Sequence, residues 1–159
     1  MNLVTDTNVV VSGLLWLGNP GRLLEAAANG HVTLYTSPAL VAELRSALAY
    51  DRLAMRVQVS GMSLDDLMQR YLSVAILVSP TALPRVVRDP DDDHVLACAI
   101  EAVADLIVTG DADLLTLESY QRIPVVTPAE ALRRLEAQKS KYAPWRVEEA
   151  EGQFAGRAA

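Results

Sequence analysis

One cysteine, Cys98, stands in the whole chain of 159 residues. An internal disulfide is therefore impossible, and a zinc site built on cysteines is not expected. The two histidines, His31 and His94, are far apart, so neither has a second imidazole at ligand spacing. Aromatic residues make up only 5%, which leaves Leu, Val and Ala to build the core. No apolar run reaches the ~20 residues of a membrane span. The longest early run, Val9 to Leu17, is broken by Ser12 and Gly13, and Asp6 precedes it where a secretory leader carries basic residues. These absences lead us to expect a soluble, cytoplasmic protein. Phosphate-binding G-x-x-x-x-G-K, G-x-G-x-x-G and G-x-S-x-G sequences are all missing, which removes the usual routes to nucleotide binding and serine hydrolysis. Excess positive charge is missing too. The net charge is −6 and the pI about 4.8. That argues against a broad nucleic-acid coat but not against a nuclease, because bound metal offsets acidic charge locally.

What is present is an alternation of short apolar runs with helical patterns. Leu3 to Thr5 reads as a buried strand ending at Asp6, with Thr7 or Asn8 capping a helix over Val9 to Trp16. Gly18 to Gly21 reads as a turn, Arg22 to Asn29 as a helix closed by Gly30, and Val32 to Thr36 as a second strand. Ser37-Pro38 is a standard helix start, as N-cap and first helical residue, and an apolar stripe follows through Leu48. Short helices are expected over 51–57 and from Ser63 to Ala75, then a strand over 76–78 and a loop over 80–88. Asp89 to Asp93 opens a helix to Ala104. Strands follow at 106–109 and 124–126, and a last helix runs from Thr127-Pro128 to Gln138. Short, continuously apolar strands between helices predict a parallel α/β sheet covered on both faces. Residues 1–138 form one domain in this reading, and 139–159 a polar tail ordered by a partner or a second copy.

Open parallel sheets bind ligands beyond the carboxyl ends of their strands. Asp6 ends the first strand, Asp111 follows the strand ending at Thr109, and Asp93 lies in the first turn of the helix before that strand. Glu43 lies four residues after Ala39, along the helix that follows the second strand, and so reaches the same end. Two carboxylates about 4 Å apart repel by roughly 4 kcal/mol at an effective dielectric near 20. Such a cluster takes up protons or binds cations, and an all-oxygen set suits Mg²⁺ or Mn²⁺. A bound ion can activate water and stabilise a phosphodiester under attack, with no histidine needed. Each acid alone also has an ordinary explanation as a cap, a turn residue or a solvated charge. Spacing alone leaves both readings open.

Four segments resemble one family. Leu3 to Val10, Ser37 to Leu44, Arg88 to Ala97 and Val108 to Leu115 are similar, in order and spacing over about residues 1–136, to the four motifs of PIN domains. The last two come closest to the PIN toxins of toxin–antitoxin systems, relatives of VapC. The resemblance implies a three-layer α/β/α fold with a central parallel sheet and Mg²⁺- or Mn²⁺-dependent endoribonuclease activity on RNA. It also implies a frequent homodimer and, in toxin members, inhibition by a cognate antitoxin. By position, Asp6, Glu43 and Asp93 match the family's catalytic, metal-binding acids, and Asp111 matches its more variable fourth, with Asp113 a rival or supporting partner. Asn8 and Thr109 would orient carboxylates or water, and Asp92 and Asp89 would be structural. Arg22, Arg45 and Arg88 are candidate phosphate contacts.

Two other classes share features with this sequence. A phospho-accepting receiver domain also has an Asp pocket at the end of a parallel sheet. It needs a lysine late in that sheet, and the only lysines here are Lys139 and Lys141, beyond it. A PIN-like module that only binds RNA or protein sits badly with four intact acids. An RNA-processing nuclease outside any toxin system keeps the same chemistry and differs only in partner.

Overall fold

A computed structural model describes residues 1–142. The chain runs β1 (Asn2–Thr5), α1 (Thr7–Leu15), α2 (Asn19–Ala28), β2 (Thr33–Thr36), α3 (Pro38–Leu48), α4 (Asp51–Val59), α5 (Leu64–Leu72) and β3 (Ala75–Leu77). It continues with α6 (Pro90–Glu101), β4 (Leu106–Val108), α7 (Ala112–Leu115), β5 (Ser119–Tyr120), β6 (Ile123–Val126) and α8 (Pro128–Lys141). The sheet order is β3-β2-β1-β4-β6-β5, parallel throughout except for the β5–β6 pair.

Side-chain alternation along the central strands builds the layers. Leu3, Leu106, Val108 and Val126 point to one face, into a core with residues of α1, α2, α5 and α8. Val4, Ile107 and Val125 point to the other, into a core with Val95, Leu96, Cys98 and Ala99 of α6. Helix α3 joins the two, with Leu40 in the second core and Leu44 and Leu48 in the first. This is the expected three-layer architecture. The chain builds β1, β2 and β3 outward in one direction, then crosses back to place β4 on the other side of β1. The carboxyl ends of β1 and β4 therefore flank the topological switch point, where such sheets open a crevice.

Several boundaries differ from expectation. Asp6, not Thr7 or Asn8, caps α1, accepting from the Val9 amide at 2.8 Å. Helix α2 starts at Asn19 rather than Arg22, because Pro20 sits inside its first turn. Strand β3 begins at Ala75, where the sequence reads as helix. Helix α6 stops at Glu101, and Val103 then takes a positive φ of 50°. Two elements were not expected: the four-residue α7, too short for a helical period, and β5. The β5–β6 hairpin turns on Gln121 and Arg122, both at positive φ (45° and 68°). Such turns favour Asn-Gly, so this one carries no sequence signal. Helix α8 takes in residues 139–141 of the expected tail, and 143–159 lie outside the described residues. Among the described residues no helix is long and apolar enough to cross a membrane.

The helix α6 carries part of the candidate site and rests on Leu96, which is fully buried. Truncation there should be felt in stability. We expect Leu96→Ala to cost about 3 kcal/mol, read as a lower urea midpoint with an unchanged slope.

Candidate active site

Asp6 and Asp111 flank the switch point. The amide of Asp6 donates to the Val108 carbonyl at 3.0 Å, which ties the end of β1 to the end of β4. The Thr109 hydroxyl, fully buried, donates to Asp6 Oδ2 and accepts from the Asp111 amide at 3.0 Å. Its single proton therefore points at Asp6, and its lone pair holds the start of α7. Asp111 caps α7, accepting from the Asp113 amide at 2.8 Å. Asp113 itself is exposed.

Glu43 comes in from α3 and Asp92 from the first turn of α6. Burial raises the pKa of Glu43, the charges of Asp91, Asp6 and Asp89 add to the rise, and the Thr7 hydroxyl opposes it. Burial likewise raises that of Asp6 against the Thr109 and Val9 hydrogen bonds, with Asp111 adding to the rise. The most perturbed acid is Asp92, pushed up to about 7 by burial and then by the charges of Asp111, Asp89, Asp6 and Glu43. Its Oδ2 is buried with no hydrogen-bond partner. An ionised carboxylate in that position lacks the compensation that buried charge requires.

The structure thus brings together Asp6, Glu43, Asp92 and Asp111. It does not bring in Asp93, which the sequence puts among the metal-binding acids. The Asp93 carboxylate turns away and accepts from the Val86 and Val87 amides at 2.9 and 3.2 Å. Neighbours on a helix point about 100° apart, so only one of the pair can face the crevice. Asp92 shares a stripe with Val95, Leu96 and Ala99, all buried against the sheet. Asp93 shares one with Leu96, Ala97 and Ile100. Both stripes are apolar in sequence, so only the exposure of Ile100 reveals the true phase. Asn8 is exposed and makes no side-chain hydrogen bond among the described residues, unlike the orienting role expected of it. Arg45 is held by Asp65 at 3.0 Å. Arg22 lines a cleft of about 490 Å³ with Trp16 and Arg70, between α1, α2 and α5. Arg88 is exposed just before Asp89, the α6 cap. Cys98 is fully buried, which pushes its thiol up to about 12 and leaves it inert.

Among the described residues no three acidic, imidazole or thiol side chains already converge closely enough to hold an ion. The chemistry of the set nonetheless fits a hard divalent cation. All the donors are carboxylate oxygens, and one of them, Asp92 Oδ2, is buried without a partner. An Mg²⁺-like ion keeps several waters and takes only one or two carboxylates directly.

The PIN domain family matches residues 2–113, a span that contains every one of these acids. The chain belongs to the PIN-domain family. PIN domains are generally nucleases that use divalent metal ions. An uncharacterized protein of Methanocaldococcus jannaschii is 28% identical over 145 residues, covering 86% of this chain and 92% of its own length. Among solved structures, VapBC2 from Rickettsia felis bound to a DNA fragment from their promoter shares the fold. The TM-score is 0.55 at 16% identity, over 80% of this chain and 98% of that one.

Two outcomes test this PIN-domain site. Metal-free protein holds a proton on Asp92 that the unfolded chain has already released, so the stability it contributes is present at low pH. It is lost as pH rises from the ordinary carboxylate range through about 7. The melting temperature without metal should fall across that window, and Asp92→Asn should flatten the fall. Thr109→Val removes the donor to Asp6 and the acceptor for the Asp111 amide. We expect Mn²⁺ affinity to drop about 10–100-fold, with Thr109→Ser close to wild type, measured by thermal-shift titration.

Proposed function

We propose that this PIN domain is a Mg²⁺- or Mn²⁺-dependent endoribonuclease that hydrolyses RNA phosphodiester bonds as the toxin of a toxin–antitoxin pair. One observation carries the nuclease reading. Asp92, buried with a partnerless oxygen, faces Asp6, Glu43 and Asp111 at the switch point of a PIN fold. In this reading those four acids hold the ion and Asp93 is not a ligand. When bound, the ion supplies charge neutralisation and a water ionised near neutral pH. The protein's part is placement. Thr109 and the Val9 amide fix both oxygens of Asp6, and the α1 amino terminus adds its dipole. The Asp113 amide fixes one oxygen of Asp111 and leaves the other free. Asp92 holds a proton below about pH 7 and releases it above, so ion binding competes with that proton.

RNA is the proposed substrate and a cognate antitoxin the proposed partner, in keeping with the likeness to the VapBC2 structure. A homodimer belongs to the same reading. Trp16, Leu17, Ile76 and Leu77 stand exposed, the last two on the outer strand β3, where a dry contact is available.

The deciding experiment incubates the purified protein with single-stranded RNA and Mn²⁺. We expect cleavage that chelator abolishes and that Asp92→Asn reduces by about a hundredfold or more. Mn²⁺ should also raise the melting temperature of the wild type. RNA binding with neither cleavage nor Mn²⁺ stabilisation would make the protein a binding module instead. Sedimentation showing only monomer at micromolar concentration would remove the dimer.

A further inference from the structure

Asp93 is a buried carboxylate with no part in the acid cluster. It is 4% exposed, and one oxygen takes two backbone amides, those of Val86 and Val87. Those amides belong to residues 78–89, which form neither helix nor strand. A carboxylate accepting two amides is a strong tether, because charge-assisted hydrogen bonds are about twice as strong as neutral ones. Asp93 therefore fixes this segment to the same helical turn that presents Asp92.

The segment has two further properties. Its first half walls a groove of about 360 Å³, together with Pro38 and Ala39 of α3 and His94 and Ala97 of α6. That volume is in the range of small-ligand sites, and the lining is mixed apolar and polar. Its second half carries Arg85 and Arg88, both exposed and in no salt bridge among the described residues. The groove shares both its helices with the acid cluster. Ala39 lies one turn before Glu43 on the same face of α3, while His94 and Ala97 flank Asp93, further round α6 from Asp92. A polyanion approaching four carboxylates needs positive charge, and Arg85 and Arg88, on the segment that Asp93 ties to α6, are free to give it.

We infer that Asp93 is a positioning residue. It holds residues 78–89 as the outer wall of a subsite for one RNA nucleotide, with the base in the groove against Leu83 and His94 and the phosphate on Arg85 or Arg88. This rests on the nuclease reading above.

The test separates RNA from metal. Kinetics at saturating Mn²⁺, Mn²⁺ thermal-shift titration and amide hydrogen exchange are compared for wild type, Asp93→Ala, Asp93→Asn and the double variant Arg85→Ala/Arg88→Ala. Asp93→Ala should raise KM about tenfold while the Mn²⁺ midpoint stays within about threefold, and exchange at the Val86 and Val87 amides should accelerate. Asp93→Asn keeps an oxygen that accepts both amides and should stay near wild type. The double arginine variant should raise KM similarly with those amides still protected, and it decides the matter if Asp93→Ala does not fold. Loss of Mn²⁺ binding in Asp93→Ala as severe as in Asp92→Asn would overturn the inference. So would an unchanged KM despite freed amides, or no effect of removing both arginines. Failure of the nuclease reading shows separately, as a wild type that Mn²⁺ neither stabilises nor activates.

Discussion

Like-charge repulsion at one end of one sheet is the constraint around which this molecule is arranged. Two carboxylates brought within about 4 Å would repel by roughly 4 kcal/mol at an effective dielectric near 20, and the repulsion weakens with distance. Asp6, Glu43, Asp92 and Asp111 feel one another's charge in a partly buried crevice, and burial raises the proton affinity of Asp6, Glu43 and Asp92. A fold with stability of about 5–15 kcal/mol does not keep such an arrangement without a source of relief. Protons give partial relief at low pH, and a divalent ion of the kind PIN-domain nucleases generally use would give it at neutral pH. The site's chemistry and its instability are therefore one property.

The backbone supplies the rest of the relief, and it does so without closing the site. Asp6, Asp89 and Asp111 each cap a helix, so each places a carboxylate oxygen on an otherwise unpaired amide. The caps use one oxygen apiece. In Asp6 the second oxygen goes to Thr109, while in Asp111 it stays free. Thr109 couples the two sides of the crevice because a hydroxyl can donate and accept at once. Valine would pack equally well there and would leave both acids without their common anchor.

The architecture was legible in the sequence because it rests on patterns that are strong there. Leu3-Val4 and Leu106-Ile107-Val108 are apolar on consecutive positions, which only a strand covered on both faces requires. Ser37-Pro38 and Thr127-Pro128 mark helix starts to the residue. The hairpin at Gln121-Arg122 was illegible because tertiary context imposes positive φ on residues that do not prefer it. In the site, position relative to strand ends pointed to Asp6, Glu43 and Asp111, since the strands dictate where they lie. The choice between Asp92 and Asp93 depended on helical phase in a helix with apolar residues on both stripes. It also depended on a loop, residues 78–89, whose path no local pattern specifies. Asp93 looks like a ligand in sequence because it is an acid in the right turn. Its partner amides come from a segment that has no periodicity at all.

Adjacent acids on one helical turn then differ in what their oxygens meet. Asp92 Oδ2 is left without a protein partner. A tether needs its oxygen saturated by donors, as Asp93 Oδ1 is. Placing them in sequence, about 100° apart, fixes the loop and Asp92 to the same rigid element, so that neither moves without the other. The net charge of −6 gives this coupling its value. A protein with so little diffuse positive charge does not attract a polyanion over its whole surface. Its cationic groups then count by where they stand, and the loop that Asp93 anchors carries two of them, Arg85 and Arg88.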